Sequence, residues 1–143
     1  MSEKKVYFIH PSITYHSRTE KRCLQLIKSE LGEDLEIINP SNLNKKQIQG
    51  WKEDLTEMDA VVGMALEEKY TVSVWTVLEH AEKLKKPVYT IRVNETITKW
   101  HEGVLEDVEK LPLEETRRFT REIIYEDGKG MFKGMIFGNR SKY

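Results

Sequence analysis

Cysteine is almost absent from this chain of 143 residues, in which Cys23 is the only one. A single thiol excludes an internal disulfide and is typical of a reducing compartment. Cys23 lies among apolar residues of a predicted helix, so we expect a buried apolar side chain rather than a nucleophile. No apolar run is as long as a membrane span or the core of a signal peptide. These absences predict a cytoplasmic protein without a membrane partner.

An excess of either charge is also missing, since 23 Lys and Arg stand against 24 Asp and Glu. Proteins that bind the nucleic-acid backbone concentrate basic residues on one face, so this balance disfavours nucleic acid as a partner. The glycine-rich GxGxxG turn of dinucleotide-binding proteins does not occur. His10 and His16 have no Cys or carboxylate cluster with metal-ligand spacing beside them. We therefore predict neither a cofactor nor a metal.

What the chain does contain is an alternation of short apolar runs with amphipathic segments. The apolar runs predict four buried strands, at residues 6–9, 35–38, 60–64 and 88–93. The amphipathic segments predict helices at residues 19–31, 45–58, 73–86, 104–111 and 114–124. Residues 125–143, with a turn signature at Asp127-Gly128, predict a C-terminal arm or hairpin.

This alternation predicts the α/β class, with an open and mostly parallel sheet between two layers of helices. Because the connections between parallel strands are right-handed, few strand orders are possible in such a sheet. The expected fold is flavodoxin-like or Rossmann-like, with strand order 2-1-3-4 and room for a fifth strand, in one domain that spans residues 1–143. In such folds the ligand binds where the loops leave the first and third strands.

The loop after the first strand supplies several candidate ligand-binding residues at that position. It offers imidazole, hydroxyl and aromatic groups close to the start of a helix, where a phosphate or carboxylate binds well. The candidates are His10, Pro11, Ser12 and Tyr15. The alternative is an ordinary connecting loop in which Ser17 or Thr19 caps the helix.

The predicted third helix carries the candidate catalytic group, Glu79. Its apolar stripe faces the sheet, so Glu79 and Trp75 share the opposite side. A bare tryptophan on a monomer surface is unusual, and we expect the C-terminal arm or a second subunit to cover it, which predicts a homo-oligomer. The alternative is that Glu79 is a solvated surface residue without a catalytic role. Residue type and position alone favour this alternative, because most exposed carboxylates on helices are not catalytic.

Further candidates lie around the third strand. Glu67 and Glu68 follow it, where acidic residues can bind ribose hydroxyls, although they serve equally well as solubilising loop residues. Tyr70 is placed in a loop and could stack on a base, and Ser73 begins the next helix. Tyr7 lies in the first strand, where a tyrosine more often belongs to the core.

Four segments, KKVYFIHPS, EIINPSN, MDAVVGM and SVWTVLEHAEKLKKPVYTI, resemble the nucleoside 2-deoxyribosyltransferase-like proteins in order and spacing. The similarity covers residues 4 to 93. It implies a nucleoside or nucleotide ligand, and transfer or cleavage of an N-glycosidic bond. It also implies that Glu79 is the nucleophile and that Tyr7, Pro11 and Asn39 contact the substrate. Trp75 stands where that family has glycine.

Tyr70, Ser73, Trp75 and Glu79 also resemble the loop and helix of TIR-like domains, in which a Trp precedes the catalytic Glu by four residues. That resemblance implies cleavage or cyclisation of NAD. In both families a carboxylate attacks or shields an anomeric carbon while the base departs, and the transition state is oxocarbenium-like. A third hypothesis is a non-catalytic nucleotide sensor or interaction module with the same fold.

Overall fold

The structure, a computed structural model, describes residues 4–95 and 97–128. The strands are β1 (Lys5–Ile9), β2 (Glu36–Ile38), β3 (Ala60–Leu66), β4 (Lys69–Tyr70), β5 (Val88–Asn94), β6 (Ile97–Glu102) and β7 (Glu109–Lys110). The helices are α1 (Arg18–Leu31), α2 (Lys45–Gln49), α3 (Trp51–Thr56), α4 (Val72–Lys83) and α5 (Leu113–Gly128). Within these ranges, no helix combines the length and the apolar character needed to cross a bilayer.

The central sheet has the predicted order. β2, β1, β3 and β5 lie side by side and parallel, so the predicted order 2-1-3-4 is confirmed, with β5 as the fourth predicted strand. The fifth strand is β6, which pairs antiparallel with β5 and forms an edge of the sheet. The order reverses between β1 and β3, because the chain runs from β1 to β2 on one side and returns to β3 on the other.

Alternation along β1 divides the core between two layers of helices. Val6 and Phe8 belong to one apolar cluster, together with residues of α1 and α5. Tyr7 and Ile9 point the other way, into a cluster with residues of α3 and α4. Successive side chains of a strand lie on opposite faces, so an apolar strand buried on both faces needs helices on both. The predicted three-layer architecture is confirmed.

Gly63 on β3 lets α4 approach the sheet closely. A Cβ atom at this position would lie 2.7 Å from Cδ1 of Leu78, a side chain with no exposed surface. We expect Gly63→Ala to lower the free energy of unfolding by about 1 to 2 kcal/mol, since the leucine methyl groups must move within a packed core. Urea unfolding measures this change. Gly50→Ala is the matched control, because the nearest atom to its added Cβ is at 3.6 Å; equal effects would contradict the packing argument.

One predicted helix is wrong in part, and another is wrong. The helix predicted over residues 45–58 is divided by Gly50 into α2 and α3. Residues 104–111 are not helical and contain the short strand β7. Their apolar spacing suits a helix, but Val108 packs into the cluster beside α3 and α4 and Leu111 into the opposite one. A helix presents one apolar face, whereas this segment crosses between two layers.

The helix predicted over residues 114–124 is confirmed as α5, which buries Phe119 and Ile123. Its backbone remains helical through Gly128, so the turn predicted at Asp127-Gly128 is wrong. The rest of the predicted C-terminal arm, residues 129–143, lies outside the described residues and stays a prediction.

Candidate functional site

A cleft of about 250 Å³ opens beside the carboxyl-terminal end of β1, on the face of the sheet covered by α3 and α4. Three aromatic side chains, two aliphatic hydroxyls and five apolar side chains line it. They are Tyr7, Tyr15 and Trp51, then Ser73 and Thr76, then Ile9, Pro40, Ile48, Val72 and Val77. The cleft lies at the carboxyl end of a parallel sheet beside the switch in strand order, which is where ligands bind in open α/β folds.

Local structure explains how these residues meet. The period of two in β1 turns Tyr7 and Ile9 toward α4. Ser73 lies in the first turn of α4 and Thr76 one turn later, so both face the same side of that helix. The short helix α3 begins at Trp51, directly after the break at Gly50.

The cleft is polar only through uncharged groups. None of the described residues that line it carries a formal charge at neutral pH. Burial raises the pKa of Tyr7 to about 12, with a smaller contribution from Tyr15, and burial also raises the pKa of Tyr15. Both phenols therefore stay protonated at neutral pH and can donate hydrogen bonds. Such a lining suits a neutral ligand with ring faces and hydrogen-bonding edges.

Glu79 is not among the described residues that line this cleft. Its carboxylate Oε2 accepts a hydrogen bond from Nζ of Lys110 at 2.6 Å, and 39% of its side-chain surface is exposed. The Glu79 carboxylate raises the pKa of Lys110 through this bond. In the structure, the carboxylate of Glu79 forms an ion pair with Lys110 and is not part of the cleft lining.

The Trp75–Glu79 face is in contact with a segment that the sequence did not predict there, residues 104–111. Cover by the C-terminal arm or by a second subunit stays a prediction. The indole Nε1 of Trp75 donates to the carbonyl oxygen of Leu111 at 2.8 Å, and Lys110 pairs with Glu79. The tryptophan is half-buried, and its one donor is satisfied within the chain. The homo-oligomer stays a prediction.

Most of the loop candidates lie outside the cleft. His10 is 1% exposed; its Nδ1 lies 2.7 Å from Oγ1 of Thr14, and its Nε2 lies 2.9 Å from Oδ1 of Asn39. Pro11 is buried and Ser12 is exposed, and neither lines the cleft. Of the candidates in this loop and after β2, Tyr15 alone contributes to the lining.

The acidic pair after β3 joins two hairpins instead. Glu67 and Glu68 form the β3–β4 turn with positive φ angles of 50° and 64°, which side chains other than glycine adopt at some cost. Oε2 of Glu67 accepts from the backbone N–H of Glu95 at 2.6 Å, and Oε2 of Glu68 accepts from Nδ2 of Asn94 at 2.8 Å. These bonds fix the two turns together, and neither carboxylate lines the cleft.

Tyr70, another predicted binding residue, has no exposed surface. Its hydroxyl lies 2.8 Å from Oγ1 of Thr90 and accepts from the backbone N–H of Leu105 at 2.8 Å. It therefore anchors residues 104–111 to the sheet. The structure brings together three of the predicted residues at the cleft, Tyr7, Tyr15 and Ser73.

Sequence reasoning missed two cleft residues with chemical character, Trp51 and Thr76. Trp51 falls within the helix predicted over residues 45–58, and the division of that helix at Gly50 puts it at the start of α3. Thr76 lies three positions after Ser73, so helical spacing from the predicted residue could have found it.

Comparison with known proteins supports the architecture. No protein-family model matches the sequence, and the comparison with curated proteins returned no match. Six chains of solved structures match. One is described as "2-desoxiribosyltransferase from Leishmania mexicana", with 12% sequence identity and a TM-score of 0.50, over 83% of this chain and 97% of that one. At this identity the likeness shows a shared fold.

Proposed function

We propose that this protein binds a nucleoside in the cleft between β1, α3 and α4. The observation that carries the proposal is the lining itself, in which Tyr15 and Trp51 offer ring faces for a base and Ser73 and Thr76 offer hydroxyls. Stacking on aromatic side chains contributes roughly 1–3 kcal/mol per base. The fold likeness to a protein described as a 2-desoxiribosyltransferase adds support for a nucleoside ligand.

The size of the cleft and the charge of its lining restrict the kind of ligand that it can bind. The cleft volume of about 250 Å³ is below the roughly 300–1,000 Å³ of pockets that hold drug-sized ligands. The described lining residues also offer no cation to a phosphate. Both facts support a base with one sugar over a dinucleotide such as NAD, and they make a nucleotide less suitable than a nucleoside.

Tyr15→Ala tests the proposed ligand position. Loss of one stacking partner is expected to weaken nucleoside binding by about tenfold or more, as measured by calorimetric titration with a panel of nucleosides and deoxynucleosides. Tyr125→Ala, which removes an exposed tyrosine of α5, is the matched control and should leave the affinity unchanged. An unchanged affinity in Tyr15→Ala, or no binding of any nucleoside to the wild-type protein, would refute the proposal.

A second candidate function is cleavage or transfer of an N-glycosidic bond with Glu79 as nucleophile. It is favoured by one feature of α4: Ser73 lines the cleft, and Glu79 follows it on the same helix at the spacing that resembles both enzyme families. A nucleophile must come within about 3–3.5 Å of the carbon it attacks. Glu79 would first have to leave Lys110 and approach the cleft, so binding without cleavage is the better-supported function.

Assays of base release separate the two functions. We expect the wild-type protein to release no base from deoxynucleosides or NAD, and Glu79→Gln to bind nucleosides as the wild type does. Chromatography of the reaction products measures the release. Release that disappears in Glu79→Gln but persists in Glu82→Gln, an exposed carboxylate on the same helix, would establish the second candidate instead. Release confined to NAD would favour the TIR-like hypothesis.

A further inference from the structure

A buried histidine joins the two loops that border the cleft. His10 directly follows β1, and its imidazole lies between Thr14 in the loop after β1 and Asn39, which directly follows β2. Oδ1 of Asn39 also accepts from the backbone N–H of Ser41 at 3.1 Å, so this atom is the oxygen of the amide. His10 Nε2 therefore carries a proton and donates it to Asn39, while Nδ1 lies 2.7 Å from the hydroxyl oxygen of Thr14, which itself donates to the carbonyl oxygen of Pro11 at 2.6 Å.

Each of these two partners is the chain neighbour of a residue that lines the cleft. Thr14 precedes Tyr15, and Asn39 precedes Pro40. The ring of Tyr15 also meets the His10 ring edge-on, with centroids 4.9 Å apart. A shift of the imidazole would therefore displace Thr14 and Asn39, and through one peptide unit each it would displace Tyr15 and Pro40 in the cleft lining.

The histidine is held from the other side of the sheet as well. Its ring stacks on Phe8 with centroids 4.3 Å apart, and Oε2 of Glu20 on α1 lies 3.5 Å from Nε2. These contacts leave the imidazole one position, because a buried ring packed on an aromatic neighbour and hydrogen-bonded at both nitrogens has no second rotamer of similar energy. His10 is 1% exposed and does not line the cleft, so it cannot act by touching the ligand.

We propose that His10 is a positioning residue for the cleft, which holds Tyr15 through Thr14 and Pro40 through Asn39. The importance of this role for function rests on the proposed nucleoside binding. The effect of His10 on the positions of Tyr15 and Pro40 can be measured without a ligand. A purely packing role for His10 would depend on ring volume alone. A positioning role depends on the two hydrogen bonds separately, and substitutions can remove them one at a time.

Two variants separate the bonds. Glutamine keeps a donor near the position of Nε2 and has no polar group at the position of Nδ1, whereas leucine fills the space and removes both groups. In the ligand-free protein with carbon-13 labels on tyrosine and proline, we expect His10→Gln to shift the signals of Tyr15 and leave those of Pro40. We expect His10→Leu to shift both. His101→Gln on β6 is the control and should move neither.

Nucleoside titration then connects position to binding. We expect His10→Leu to weaken binding about tenfold or more and His10→Gln to recover part of that loss. If the His10→Leu protein does not fold, His10→Gln alone tests the positioning role, because its Tyr15 signals are expected to shift and its Pro40 signals are not. Unmoved Tyr15 signals in His10→Gln would overturn the positioning role, whatever the ligand result. Shifted signals without any nucleoside binding would instead refute the proposed function and leave the positioning role standing.

Discussion

Thr76→Trp is expected to abolish nucleoside binding while the protein remains folded. Thr76 is half-buried and lines the cleft from α4, so an indole at this position would occupy much of a volume of about 250 Å³. Threonine and tryptophan have similar helix propensities, and the change replaces no core side chain. The affinity measured by calorimetric titration should fall at least about 100-fold, or roughly 3 kcal/mol.

Two controls accompany this variant. Lys83→Trp adds the same indole to an exposed position of α4 and should bind nucleosides as the wild type does. Thr76→Ser keeps the hydroxyl with less bulk and should bind within a few-fold of the wild type. Circular dichroism and thermal unfolding establish that the helix is intact. If Thr76→Trp bound as tightly as Lys83→Trp, the ligand would lie elsewhere on the protein.

The arrangement of the parallel strands was predictable because each strand is a short run of mostly apolar residues, and the central strands β1 and β3 are buried on both faces. β6 was missed for the opposite reason. Its sequence, ITKWHE, mixes charged and aromatic side chains, as an edge strand with one partly exposed face does. A strand of this kind is defined by its pairing with β5, and local composition does not reveal that pairing.

Some residues of the candidate site could also be predicted from the sequence, and others could not. Tyr7, Tyr15 and Ser73 were predictable because the switch in strand order follows from the order of elements along the chain. The environment of Glu79 was not, since its partner Lys110 is 31 positions away in a segment whose apolar spacing suggested a helix. Residues 104–111 cross between the two layers without forming a helix, and this brings Lys110 next to α4. There Lys110 pairs with Glu79, the carboxylate that the family resemblance implies is the nucleophile.

The second large effect is a loss of stability in mild acid caused by His10. Burial lowers the pKa of His10 from 6.5 to about 4, while the Asn39 hydrogen bond and then Glu20 act in the opposite direction and His16 adds a small further lowering. In the unfolded chain His10 therefore takes up a proton near pH 6.5, whereas in the folded protein it does so only near pH 4. The unfolding free energy should be unaffected above that window and should fall through it as the pH is lowered, by up to about 3 kcal/mol.

Urea unfolding between pH 7 and pH 4.5 measures this loss in the wild type, in His10→Gln and in His101→Gln. Carboxylates titrate over part of the same range in all three proteins, so the difference between the curves isolates each histidine. We expect the His10→Gln curve to be flatter than the wild-type curve, and the His101→Gln curve to run parallel to it. Parallel curves for wild type and His10→Gln would mean that His10 takes up its proton equally well in the folded and unfolded states. That result would contradict the burial of the ring, which is 1% exposed and whose nearest charged partner among the described residues is Glu20 at 3.5 Å.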